Sequence, residues 1–280
     1  YASPDMAVQD LVSALEPLNQ QRLREIFGPE SDELVDSGDA VADQNAAERF
    51  LESYNQKHEL VANADGSRTL EVGDNDWPFP VPLVESKGQW SFDTPAGLEE
   101  ILNRRVGQNE LDAIQTCLAI VDAEREYAIL DPDGDGVHEY AQKFLSSPDT
   151  GLHDGLFWPT TSEEAPSPLG LLVADAAEEG YRRSQAGELT PYHGYYYRIL
   201  TAQGPHANGG AFDYLVGKNM VGGFAVVAWP ADYGNSGVMS FIVNYDGVVF
   251  QSDLGASTDQ KARAMARFDP DPAAGWTPVD

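Results

Sequence analysis

His58-Glu-Leu-Val-Ala-Asn-Ala-Asp-Gly-Ser-Arg-Thr-Leu-Glu-Val72 is where the apolar period of the chain changes. Upstream, apolar residues recur at helical spacing: Met6, Val8, Leu11, Val12 and Leu15, then Ala46, Ala47, Phe50, Leu51 and Tyr54. From His58 they follow period two, with Asp65-Gly66 placed where a hairpin turns. This predicts an opening helix capped by Ser3 or Asp5, a second over 20–27 stopped by Gly28-Pro29, and a third over 43–57. Strands are expected over 58–62, 67–72, 80–85 and 89–92, the last two joined at Lys87-Gly88. Helices followed by antiparallel strands make residues 1–94 an α+β lobe.

Working toward the C-terminus, Thr94-Pro95 restarts helix, with Thr94 as cap and Pro95 at the first turn. Leu98, Ile101 and Leu102 form its first apolar face, Gly107 is expected to break or kink it, and Leu111, Ile114, Leu118, Val121 and Tyr127 continue it. Residues 131–191 are rich in Gly, Pro, Ser and acids, interrupted by one predicted helix over 169–181. Strands are expected over 195–202, 220–229, 238–244 and 247–251, with a turn at Asp246-Gly247. Residues 95–280 thus read as a second lobe, a long helix packed on an antiparallel sheet. The fold class is α+β in two lobes.

The 280 residues carry 46 acidic and 17 basic side chains, a formal net charge of −29. So negative a surface repels phosphate backbones, and Arg104-Arg105 and Arg182-Arg183 are the only basic pairs of note, so nucleic acid is excluded as a partner. The charge itself reads as solvating. Cys117 stands alone in an apolar helical pattern, which excludes an intramolecular disulfide and a thiolate metal cluster and predicts a buried, inert thiol. No apolar run approaches the roughly 20 residues that span a bilayer. The chain opens at Tyr1 without Met, as expected of a mature form whose signal peptide has been removed.

The sharpest local motif is Asp131-Pro-Asp133-Gly-Asp135-Gly136-Val137-His-Glu139. Carboxylates at alternate positions aim oxygens at one centre, Gly136 allows a tight turn, and Val137 can offer its carbonyl. The expected occupant is Ca²⁺, held by Asp131, Asp133, Asp135, Val137 and Glu139. Gln142 stands where a full EF-hand would place its bidentate Glu, and the competing reading is an exposed acidic turn. His153-Asp154 and His193 have the chemistry of a base or metal ligand, but His58, His138, His153, His193 and His206 show no metal-site spacing. No nucleophile elbow, zincin pair or phosphate loop occurs, so no catalytic residue is assigned. Tyr195, Tyr197, Trp229 and Tyr233, with His153 and His193, are the candidate binding residues. Tyr195 and Tyr197 share one strand face, although strand tyrosines are also ordinary sheet formers.

Taken together, Gly-Asp-Asn-Asp-Trp-Pro-Phe-Pro (73–80), Glu-Ile-Leu-Asn-Arg-Arg-Val-Gly-Gln-Asn-Glu-Leu (100–111) and His-Asp-Gly-Leu-Phe-Trp-Pro (153–159) resemble a bacterial family catalogued as domain of unknown function 2950. Pro-Tyr-His-Gly-Tyr-Tyr-Tyr-Arg-Ile-Leu (191–200) and Gly-Gly-Phe-Ala-Val-Val-Ala-Trp-Pro-Ala-Asp-Tyr-Gly (222–234) extend the resemblance over nearly the whole chain. It implies a bacterial protein of the periplasm or envelope and no particular reaction. The helix from Asn109 to Ala128 and the later strands also resemble type IV pilin and pseudopilin head domains, without the apolar first half of the pilin helix. The order of the first lobe is similar to cystatin-like and nuclear-transport-factor-like folds. The expected function is a non-enzymatic binding or structural module, periplasmic or secreted, with a protein or polymer partner in the envelope. The alternative is a small-molecule-binding protein or enzyme using a pocket of the N-terminal lobe.

Overall fold

The computed structural model describes residues 1–35, 40–132, 134, 136–147, 153–161, 164–173 and 191–279. The chain forms two compact units, Tyr1–Arg104 and Arg105–Asp280. Both are α+β, with helices and antiparallel sheets in separate stretches of chain. Among the described residues no helix is long and apolar enough to cross a membrane.

The first unit begins with α1 (Pro4–Leu15), α2 (Gln20–Phe27), α3 (Asp32–Val35) and α4 (Ala40–Gln56). Of the two cap candidates, Ser3 is the one used, its hydroxyl accepting from the Met6 N–H at 3.3 Å. Asn19 caps α2 by accepting from the Arg22 N–H. The strands are β1 (His58–Ala62), β2 (Arg68–Val72), β3 (Trp77–Pro78), β4 (Leu83–Ser86) and β5 (Gln89–Phe92). The order is β1-β2-β4-β5, with β3 also on β2. Lys87 and Gly88 turn the β4–β5 hairpin with φ of 55° and 77°, the left-handed pair that a two-residue hairpin requires. The strand expected over 80–85 is shifted to 83–86. Pro80 and Pro82 cannot donate to a ladder, and Trp77–Pro78 takes the place beside β2 instead. Val8, Leu11, Leu23 and Phe27 from the helices and Leu70, Val72, Leu83 and Phe92 from the sheet fill one core, with Phe50, Tyr54 and Phe79 packed against it.

Helix α5 (Thr94–Leu130) runs 37 residues without the break expected at Gly107. An interior Gly costs only about 1 kcal/mol relative to Ala. Side chains on both sides of it are tethered: Arg104 to Glu100 and to the Pro78 carbonyl, Asn109 to the Ser236 carbonyl.

In the second unit β6 (Tyr195–Leu200), β11 (Ala225–Pro230), β12 (Met239–Asn244), β13 (Phe250–Asp253) and β14 (Thr277–Pro278) form an antiparallel sheet in the order β14-β13-β12-β11-β6. Two small ladders interrupt it: β7 (Ala202–Gln203) with β8 (Phe212–Asp213), and β9 (Leu215–Val216) with β10 (Asn219–Met220). The strand expected over 220–229 is divided between β10 and β11. Gly223 separates them at φ 140°, where a Cβ would lie 2.5 Å from the Tyr245 ring. All six residues of β11 are buried, as a central strand covered on both faces must be. Ala113, Cys117, Ile120 and Val121 of α5 share the core of this sheet. Its other face carries α6 (Thr258–Ala264), whose Asp259 accepts from the Trp229 indole at 3.0 Å. The turn expected at Asp246-Gly247 is present, the Gly247 N–H donating to the Asn244 carbonyl, while the following strand starts three residues later, at Phe250. Of the helix expected over 169–181, residues 170–173 are helical, Leu169 is in the turn before them, and 174–181 lie outside the described residues.

Candidate functional site

One face of α5 is polar where an amphipathic helix would carry only solvated charge. Arg105, Asn109 and Asp112 are spaced four and three apart and so lie on one side, with Glu110 beside them. Each fixes a loop of the second unit. Arg105 donates to the Asn235 side chain, and the Asn109 amide donates to the Ser236 carbonyl at 2.9 Å. Glu110 Oε1 accepts from the Val238 and Met239 N–H groups at 2.9 and 3.0 Å. Asp112 Oδ2 lies 3.5 Å from His193 Nδ1, while its Oδ1 accepts from Gln108 at 2.9 Å. His193 holds φ 47°, a backbone state uncommon outside Gly, with the Tyr192 ring against it at 4.1 Å. The turn 191–194 and the loop 231–238 are joined directly, since the Ala231 N–H and the Ser236 hydroxyl both donate to the Gly194 carbonyl at 2.8 Å. The product is a rigid rim bearing Tyr192, His193, Tyr233 and Asn235. Tyr233 in turn donates to Asp253 at 3.0 Å.

The expected binding residues separate in space. Tyr195 and Trp229 are fully buried, and Tyr195 donates to the Met239 carbonyl at 2.8 Å. Trp229 pairs with Tyr196 on the α6 side, where Arg263 lies 5.6 and 5.7 Å from the two ring centres, and Tyr197 is opposite Ala228 on the other face. These side chains hold the sheet between its two helices and leave His193 and Tyr233 as the accessible members. His153 stacks on Trp158 at 4.2 Å. Its neighbour Asp154 binds Lys143 at 2.5 Å and accepts from the Ser147 N–H and hydroxyl. Burial acts against ionisation of Asp154, and Lys143 and Ser147 overcome it, bringing its pKa down to about 2.

In the acidic loop, Asp131 closes α5 with φ 46° and its Oδ2 accepts from the Gly136 N–H at 3.2 Å. Its Oδ1 is buried without a hydrogen-bond partner among the described residues. Asp133 and Asp135 lie outside the described residues. Glu139 Oε2 accepts from the Met220 N–H at 3.1 Å. Among the described residues no group of three or more His, Cys, Asp or Glu side chains could hold a metal ion. Cys117 is fully buried, and burial pushes its thiol up to about 12, far from a reactive thiolate.

Two features escape a reading of motifs. The anchors Arg105, Asn109, Glu110 and Asp112 share one side of α5, but the helix carries other polar residues, Arg104, Gln115, Asp122 and Glu126 among them, so spacing alone does not single them out. Glu124 does carry a signal. It stands three residues before Tyr127 and four after Ile120, on the apolar face, and is fully buried.

No curated protein and no solved structure matches the chain. The sequence model of the family described as protein of unknown function DUF2950 matches residues 1–279, and the chain belongs to that family.

Proposed function

We propose that this is a non-enzymatic module of the bacterial cell envelope, periplasmic or secreted, with a pilin-like second unit that presents the 191–194 and 231–238 rim to a protein or polymer partner. The observation that carries this reading is the locking of loop 231–238 to α5 by side-chain to backbone hydrogen bonds, and of turn 191–194 to that loop through the Gly194 carbonyl. A rim ordered before binding loses little entropy when a partner arrives. Tyr192, His193 and Tyr233 supply flat amphipathic area of the kind that dominates recognition surfaces. In the first unit the helices and the sheet meet in one shared apolar core, which supports a binder over an enzyme working from a pocket between them. The unpartnered Asp131 oxygen supports a calcium ion as a stabilising part of the second unit, at the 131–139 loop.

The test is capture from a native periplasmic extract on the full chain, with calcium and with chelator. A variant carrying His193→Ala and Tyr233→Ala, matched to wild type in melting temperature, serves as comparison. One stoichiometric partner held by wild type and lost by the variant is the expected result. Equal recovery by both, or a co-purified small ligand in place of a partner, overturns the reading. Millimolar calcium raises the melting temperature of wild type and not of Asp133→Ala; identical curves in calcium and chelator remove the ion from the proposal.

A further inference from the structure

Residues 138–142 form a strap between the end of α5 and the β9–β10 hairpin. His138 Nδ1 is 2.8 Å from the Ala128 carbonyl of α5. The Tyr140 N–H donates to the Met220 carbonyl at 2.9 Å, Glu139 accepts from the Met220 N–H, and the Gln142 amide donates to the Lys218 carbonyl at 2.7 Å. The Tyr140 ring rests on Phe224 with centres 4.9 Å apart. At its middle the Ala141 N–H donates to Oε2 of Glu124 at 2.8 Å. Glu124 has no exposed surface, and its Oε1 has no partner among the described residues. A carboxylate at zero exposure with a single N–H donor is strongly disfavoured, whereas a neutral carboxylic acid can stay.

We propose that Glu124 is a proton-controlled latch: neutral, it docks the 138–142 strap on α5, and ionised, it leaves the interior and releases the strap while the sheet stays folded. The sheet pairs β6, β11, β12, β13 and β14 with one another and takes no strand from the strap, so the strap can detach alone. The groups around the latch do not compete for the proton. On α5, Tyr127 spends its hydroxyl on the His153 carbonyl. On the strap, His138, Glu139 and Tyr140 are turned to Ala128, Met220 and Phe224. Burial and the Ala141 N–H alone act on the carboxyl, and burial, the larger, raises its pKa well above 4.5.

The direction follows from the sign of that burial. The strap is closed at low pH and opens as pH rises through the folded-state titration of Glu124. Amide hydrogen exchange of the full chain, corrected for base catalysis, reads it directly. In wild type, protection of 138–142 falls about tenfold per pH unit from about 4.5, the ordinary value of the carboxyl in the open strap, and levels off beyond its folded-state titration, while circular dichroism of the sheet is unchanged. Glu124→Gln keeps an acceptor and cannot ionise, so its protection is flat with pH. Glu124→Leu fills the space without an acceptor, and its strap exchanges freely at every pH. Parallel decline in wild type and Glu124→Gln overturns the latch. So does loss of the sheet together with the strap, or full protection in Glu124→Leu. Should the Leu variant not fold, the wild-type and Gln profiles decide alone.

Discussion

Replacing Glu110 with Ala removes one acceptor from two backbone donors, and the cost can be worked from the contacts. Val238 and Met239 donate to the same carboxylate oxygen at 2.9 and 3.0 Å where loop 231–238 enters β12. A hydrogen bond to a charged group contributes about 1.5–3 kcal/mol. Both donors are only partly buried, so water recovers part of each, and the sum is about 3 kcal/mol for Glu110→Ala. Glu110→Gln keeps a neutral acceptor at the same place and costs about 1 kcal/mol. Urea unfolding followed by tryptophan fluorescence measures both. At an m-value of about 3 kcal/mol/M the midpoint falls by about 1 M for Ala and about 0.3 M for Gln, with slopes unchanged. Exchange of the Val238 and Met239 amides accelerates in the Ala variant under conditions where β11 and β12 remain protected. A loss under 1 kcal/mol, with those two amides as protected as in wild type, refutes the view that α5 holds the rim in shape.

Gly237→Ala puts a Cβ 2.1 Å from the hydroxyl of the fully buried Tyr195. Overpacking of about 2–3 kcal/mol is expected, a fall in melting temperature of about 5–10 °C, and an unchanged melt contradicts it. Arg263→Ala ends the contact of its Nε with both Asp259 oxygens and its stacking over Tyr196 and Trp229. At this half-exposed site the loss is about 1 kcal/mol, and Arg263→Lys recovers little of it because a point charge replaces a planar fork. Cys117 reacts with a thiol reagent only as fast as the chain unfolds, and rapid labelling of the native protein would contradict its burial.

The period change at His58 was sufficient to place α1, α2 and α4 and the β1–β2 and β4–β5 hairpins, because those elements are local and their turns are written in Asp65-Gly66 and Lys87-Gly88; the four-residue α3 was not foreseen. Reading failed where a distant side chain decides. Gly107 looks like a stop until tethers on either side of it are known. Residues 220–229 look continuous until Tyr245 is seen to occupy the space over Gly223. Helix α6 and strand β14 have no strong pattern of their own. Asp259 of α6 meets Trp229, and Val279, next to β14, donates to the Val249 carbonyl; both contacts join residues far apart in sequence. The site was legible only in part. His193 and Tyr233 announce themselves as aromatic and polar residues in turns, but their anchors on α5 are legible only once the loops they bind are known.

The excess of acidic residues reads in sequence as a solvating coat, and the contacts give part of it a structural task with a measurable pH signature. Carboxylates stand in for strand partners where loops leave N–H groups unpaired: Glu110 for Val238 and Met239, Glu139 for Met220, Asp154 for Ser147, Asp253 for Gly255, Asp269 for His206. Several are held below the ordinary carboxyl range, Asp154 by Lys143 and Ser147 against its burial, Asp259 by the Trp229 indole and Arg263, Glu164 by Thr161. The stability these groups supply is present above about pH 4 and is lost as pH falls through their folded values, toward about 2 for Asp154. Glu124 has the opposite sign. It is raised by burial, so its contribution is complete below 4.5 and is lost as pH rises, by about 1.4 kcal/mol per unit until release of the strap becomes easier than retention of the proton. Melting temperatures from pH 2 to 9 should therefore fall on both sides of a maximum. Self-repulsion of a chain with net charge −29 also weakens the alkaline side, but equally in wild type and Glu124→Gln. Their difference isolates the buried acid: it is small below pH 4.5, grows with pH and then levels off. A difference that is constant from pH 4 to 9 would mean that Glu124 is ionised in the folded protein, and the latch would have no proton to lose.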